Sequence, residues 1–251
     1  MRGQTVVQVV EHENRQVYAQ GFYNGMKESE RPCVATLLKG KLGNQKITLD
    51  ALHLIPETVK QIELQKGMYL IGIKENQQEL LEETKLMMRL NKPVTEDSTT
   101  EKEHGRIDAR SYAAYKLNNL YLDQRWDGAN FQTIIKVDRT SINTKTQIKT
   151  SETSYYITNQ KLTETKNDFE LFNAIRGHWN VEVNNHIRDV TLKEDQLKTK
   201  EPLIARNIAT CRTIILNLLY ELKPKNIKTK LEEFADDFQI LLKWLTQIKF
   251  L

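Results

Sequence analysis

The hydrophobic pattern opens with two β-branched or aromatic runs, residues 5–10 and 16–22, separated by the polar turn His12-Glu13-Asn14. Such runs predict paired strands. Val34, Leu37 and Leu38 then fall on one face of a short helix over 30–38, and Gly40 and Gly43 punctuate the chain after it. Residues 46–50 (KITLD) read as an apolar strand ending in a carboxylate. Pro56 opens a helix to about residue 65, Gly67 breaks it, and 68–73 (MYLIGI) is a buried strand. Leu80, Leu81, Thr84 and Met88 mark one stripe of a helix over 76–90. This ββαβαβα order predicts a mixed sheet covered by helices.

Residues 91–103 (NKPVTEDSTTEKE) are polar, contain Pro and are dense in Ser, Thr and acids, so they are expected to form a surface connection. Further strands are predicted over 104–115, 131–139 and 146–157. From residue 163 the period lengthens: Phe169, Phe172, Ile175, Trp179 and Val183 recur at three- and four-residue intervals in a helix to about 187. Helices over 202–222 and 228–248 complete the chain. The expected division is the first part of an α/β core (1–92), a β-rich insertion (93–160) and helices that complete the core (161–251).

Composition narrows the classes. A chain of 251 residues, 39% apolar and 28% charged, suits one large domain or two small ones. No run approaches the roughly 20 apolar residues of a membrane helix, so no membrane partner is expected. The N-terminus lacks the apolar region of a secretory signal. Cys33 and Cys211 stand far apart, which excludes zinc ribbons, disulfide scaffolds and thioredoxin-type chemistry and points to a reducing, cytoplasmic setting. The net charge is +4, unevenly spread. Residues 74–103 hold five basic and eight acidic residues; residues 193–230 hold nine basic and four acidic. That basic stretch reads either as solvated helix faces or as a nucleic-acid footprint.

Two places could carry chemistry. Asp50 sits at the C-terminal end of a predicted strand, where open α/β sheets place their sites, although a strand-end Asp also caps turns. His178, Glu182, His186 and Asp189 follow at spacings of four, four and three, which puts them on one helical face. Such a stripe could ligate a metal or simply face solvent. Together, a strand-end carboxylate and a helical one suggest a magnesium-type phosphodiester site, in which one ion activates the attacking oxygen and another stabilises the leaving one. Basic residues nearby would neutralise DNA phosphates.

These residues lie in a series of collinear motifs: KITLDAL (46–52), IKENQ (73–77), EHGRIDAR (103–110), TSETSYYIT (150–158), RGHWNVE (176–182), RDVTLKED (188–195) and EPLIARNIATCRTIILNLL (201–219). Over nearly its whole length the chain resembles the DDE transposases of bacterial insertion sequences, in particular the H-repeat-associated group. The resemblance implies an RNase H-like mixed sheet flanked by helices, with a β-rich insertion and a helical C-terminal tail. It also implies a nucleoid-associated bacterial protein that cuts double-stranded DNA at transposon ends and joins it to target DNA. A two-ion Mg2+ or Mn2+ site would serve that reaction. Asp50 matches the second catalytic Asp and Glu182 the catalytic Glu, both as metal ligands. Lys74, Asn76 and Gln77 match a Lys-x-Asn-Gln segment at the site edge. His104, Arg106, Arg110, Arg176, His178, Trp179 and Arg188 match DNA-contacting or site-edge positions.

The chain also departs from the family. The first catalytic Asp of the family precedes an Arg-Gly pair, and here the sequence begins Met1-Arg2-Gly3. The first carboxylate and its central strand are therefore expected to be missing, leaving ladder groups unpaired and the chain inactive alone. Asp189 follows His186 by three positions rather than four, so Arg188 and Asp189 are expected to be turned by about 100° on an α-helix. The alternative is a DNA-binding or oligomerising remnant that acts without cutting, alone or with full-length transposase. A third possibility is a zinc protein using His178, Glu182 and His186.

Overall fold

The computed structural model describes residues 5–40, 42–43, 45–103, 105–117, 122–163, 169–199 and 201–247. Met1-Arg2-Gly3, His104 and Lys200 lie outside the described residues. The chain divides into two compact units, residues 38–178 and residues 1–37 with 179–251.

The larger unit is built on a six-stranded mixed sheet in the order β3-β4-β8-β7-β6-β5. Its strands are β3 (Lys46–Leu49), β4 (Met68–Ile73), β5 (Thr95–Glu103), β6 (Arg106–Lys116), β7 (Thr133–Asn143) and β8 (Lys149–Thr158). Among the described strands only β3 and β4 run parallel, joined through α2 (Pro56–Leu64). Strands β5–β8 form no sheet of their own; β8 pairs with β4 from Leu70↔Thr158 to Ile73↔Tyr155. Strand β4 is therefore paired on both sides, whereas β3 ends the sheet and, among the described residues, pairs on one side alone. Helix α3 (Gln78–Leu90) follows β4 and buries Leu80, Leu81, Thr84 and Met87, the stripe its period predicts save for Met87 in place of Met88.

Strand β5 corrects the surface connection expected over 91–103. Residues 95–103 alternate among Thr, Ser, Glu, Asp and Lys and have no apolar face, so no period-2 signal marks them. They are held by a nine-residue antiparallel register with β6, and their charges suit an edge strand. On one face of the sheet Leu70, Tyr112, Ile135 and Val137 pack with Leu171 and Phe172, and the rings of Tyr112 and Phe172 stack at 5.0 Å. Leu171 and Phe172 belong to α4 (Phe169–His186), within which the boundary between the units falls.

In the smaller unit β1 (Thr5–Val10) and β2 (Val17–Tyr23) pair, among the described residues, with each other alone, followed by α1 (Lys27–Leu37). The expectation that these strands join the main sheet is thus corrected. The free edge of β2 finds a side chain instead of a strand. Asn217 accepts from Val17 N at 2.8 Å and donates to Val17 O at 3.0 Å, which satisfies both backbone groups. Asn217 lies on α5 (Pro202–Glu221). The single helix expected over 228–248 is two, α6 (Ile227–Asp236) and α7 (Phe238–Gln247). Asp237 breaks them: its backbone is extended and its carboxylate accepts from Gln239 N, as an N-cap does. Among the described residues no helix is long and apolar enough to cross a membrane.

Candidate functional site

Strand β3 delivers Asp50 at its C-terminal end. The chain then tightens into a 3-10 turn, Ala51–His53, and the Asp50 Oδ1 caps it by accepting from Ala51 N at 2.7 Å. Ala51 and Leu54 are buried, so the turn is anchored in the fold while the carboxylate stays exposed. Capping uses one oxygen and leaves the group open to a further partner. Lys74 Nζ lies 3.6 Å from that Oδ1, with both side chains about two-thirds exposed (67% and 65%).

The Lys-x-Asn-Gln segment, immediately after β4, gathers around this turn. Asn76 donates to Ala51 O at 2.8 Å, and Gln77 donates to Leu54 O at 2.7 Å. Gln77 is buried, and its carbonyl oxygen accepts from Arg125 at 3.0 Å. Its side chain is committed inside the fold. Tyr156 on β8 feels the same neighbourhood: burial first, then the carboxylates of Glu152 and Asp50, push its phenol above the ordinary value.

His178 lies over β3, with Nδ1 2.8 Å from the Thr48 hydroxyl, two residues before Asp50. Lys46, two residues earlier again, pairs with Glu170 on the same helix. Glu182 and His186 are one and two turns beyond His178 on α4, and both are exposed. Trp179, expected to be buried, is 48% exposed; Leu171 and Phe172 are the buried anchors of the helix.

The predicted arginines divide. Arg176 donates to Glu101 at 2.8 Å, and Arg110 shares that carboxylate at 3.2 Å. Asp108 sits between Arg139 (3.1 Å) and Arg110 (4.0 Å). Burial raises the Asp108 carboxyl, but hydrogen bonds from Ser141 and Arg139 and the two guanidinium charges hold it below its ordinary value. Arg106 stands exposed at the start of β6.

Arg188, read from the sequence as a site-edge residue, lies buried. Its side chain is 2% exposed; Nε and Nη2 meet the Glu194 carboxylate at 2.5 and 2.8 Å, and Nη1 donates to Thr213 at 2.7 Å. It cannot reach a phosphate without breaking this pair. The backbone here is also not α-helical: residues Ile187–Thr191 form a π-helical turn, closed by Leu192 N on Ile187 O. The α-helical rotation expected for Arg188 and Asp189 therefore does not apply. Arg212 donates to Leu192 O at 3.1 Å, satisfying a carbonyl at the end of the turn. Of the other basic residues in this third, Lys228 and Lys230 pair with Glu232 and Glu233, whereas Lys193, Lys198, Lys223 and Lys225 are exposed.

Among the described residues no three His, Cys, Asp or Glu side chains are grouped to hold a metal. Sequence reasoning missed Thr48, Arg125 and Glu194. Thr48 shares its strand face with Asp50, a readable signal, but nothing local marks Arg125.

Known proteins resolve the family. Over 189 residues the chain is 30% identical to "H repeat-associated putative transposase YhhI" of Escherichia coli (strain K12), a match covering 72% of this chain and 48% of that protein. The chain is related to the H repeat-associated transposases. The same identity and coverage hold for "Putative protein YbfL" of the same strain. "Putative transposase YncI" of Escherichia coli O157:H7 is 27% identical over 185 residues, 70% of this chain and 46% of that one. No protein-family model matches the chain. The matched segment spans about half the length of these relatives.

Proposed function

We propose that the chain carries two carboxylates, Asp50 and Glu182, of a DDE-type transposase with an RNase H-like core. The observation behind this is Asp50 itself: an exposed carboxylate at the C-terminal end of a sheet strand, on a turn braced by three side chains, in a relative of transposases. Double-stranded DNA is the substrate, at transposon ends and target.

The donor chemistry fits a hard divalent cation. Both carboxylates are exposed oxygen ligands of the kind Mg2+ or Mn2+ takes along with water. The chemistry such a cation supplies is activation of the attacking hydroxyl and stabilisation of the leaving oxygen. The residues of this chain do the rest. Asn76 and Gln77 hold the Asp50 turn, Thr48 orients the His178 ring, and Lys74 offers an exposed ammonium to a phosphate. Two carboxylates alone hold such a cation weakly, so Mn2+ binding through Asp50 and Glu182 is expected to be weak and turnover low.

Mn2+ binding and strand transfer on a supercoiled plasmid test this reading. Asp50→Asn is expected to abolish the Mn2+ binding; unchanged binding would remove Asp50 from the site. Robust cleavage lost in Asp50→Ala would overturn the low activity and keep the site. The exposed Lys193, Lys198, Lys223 and Lys225 favour a second reading, DNA binding or self-association without cutting. Salt-dependent retention on duplex DNA that survives Asp50→Asn, with no Mn2+ effect, would select it.

A further inference from the structure

We propose that Arg125 and Gln77, with Asn76, are positioning residues for Asp50. Together they form a hydrogen-bonded clamp that fixes the 50–54 turn, with its outer member on a loop far along the chain. The inference rests on the reading of Asp50 as a metal-binding carboxylate, and it explains what the Lys-x-Asn-Gln segment does.

The clamp has two levels. Asn76 and Gln77 each donate to a backbone carbonyl of the turn, at Ala51 and at Leu54, so the turn is gripped at both ends. Gln77 is buried, and a buried primary amide keeps its orientation only if both its ends are satisfied. Arg125 satisfies the second end at 3.0 Å, and thereby forces the NH2 group of Gln77 toward Leu54 O. Were the amide reversed, an oxygen would face the Leu54 carbonyl and the NH2 group would face the guanidinium. Arg125 is itself held: the Asp123 carboxylate lies 3.4 Å from its Nε, and its guanidinium lies 5.1 Å from the Trp126 ring centroid, with Trp126 buried. Asp123 also caps the 3-10 turn Gln124–Trp126 that carries Arg125. The outer support is therefore preorganised, and the rigidity is passed inward to the turn that aims Asp50.

The test uses the whole 251-residue chain and two readouts. One is hydrogen exchange of the Ala51 amide, which donates to Asp50 Oδ1, against that of Ile71 in β4. The other is Mn2+ affinity by electron paramagnetic resonance. Arg125→Met is expected to speed Ala51 exchange and weaken Mn2+ binding, each by about tenfold, with Ile71 exchange unchanged. Arg125→Lys should restore part of both. Gln77→Leu, apolar and of similar size, should behave like Arg125→Met; if it unfolds the chain, Arg125→Met at the surface carries the test. Ala51 exchange equal to that of the parent chain in Arg125→Met would overturn the clamp. Equal acceleration at Ala51 and Ile71 would overturn it too, as general loosening. If Asp50→Asn leaves Mn2+ binding intact, the metal reading falls, and the clamp is decided on Ala51 alone.

Discussion

The Thr48 hydroxyl lies 2.8 Å from His178 Nδ1, tying the strand that ends at Asp50 to the part of α4 within the larger unit. The contact spans 130 positions of sequence and fixes which ring nitrogen of His178 faces the sheet. Replacing Thr48 by Val keeps the β-branched shape the strand needs and removes the hydroxyl. Thr48→Val is expected to cost about 1 kcal/mol in urea unfolding, while Thr48→Ser stays near the parent. Equal losses for the two would assign the effect to packing.

Arg188 and Glu194 make the second prediction. The guanidinium is buried and paired through two nitrogens, so Arg188→Met leaves the Glu194 carboxylate without its partner beside the core. The expected loss is about 3–5 kcal/mol. Adding Glu194→Gln should recover a substantial part, because the uncompensated charge is then gone. A double variant as unstable as the sum of the singles would show that the pair does not interact.

Two aspartates should respond to pH in opposite directions. Burial, reinforced by Asp195 and Glu194, pushes the Asp189 carboxyl above its ordinary value, with Arg188 and His186 opposing. A raised carboxyl binds its proton more tightly in the folded chain, so its contribution is present below the unfolded value and is lost as pH rises through the folded one. Asp189→Asn is therefore expected to stabilise the chain at pH 7, with the gain vanishing in acid. Asp108 is depressed, so its contribution is present above the unfolded value and is lost as pH falls through the folded one. Asp108→Asn should destabilise at pH 7, and less so in acid. Unfolding midpoints of both variants at pH 7 and pH 3 check the two signs.

The elements themselves were largely legible. MYLIGI marked β4 to the residue, and the Phe169, Phe172 and Ile175 spacing placed α4, because apolar periodicity is a property of a dozen adjacent residues. The strand-end position of Asp50 was legible for the same reason. Strand β5 was not, since its polar alternation resembles a loop until β6 supplies its hydrogen bonds. Nor was the break at Asp237 anticipated, although Asp is a strong N-cap residue.

The order of amino acids thus carried the local information: the succession of strands and helices, the strand-end position of Asp50, and motifs pointing to the transposase kinship. The work of the polar side chains was set by packing. Packing turned Arg188 inward to Glu194, placed Arg110 and Arg176 on one carboxylate, and brought Arg125 to Gln77 across 48 positions. The physical reason is range. Periodicity and capping act within a few residues, whereas the partner of a charged or amide group is whichever group the fold brings within about 3 Å.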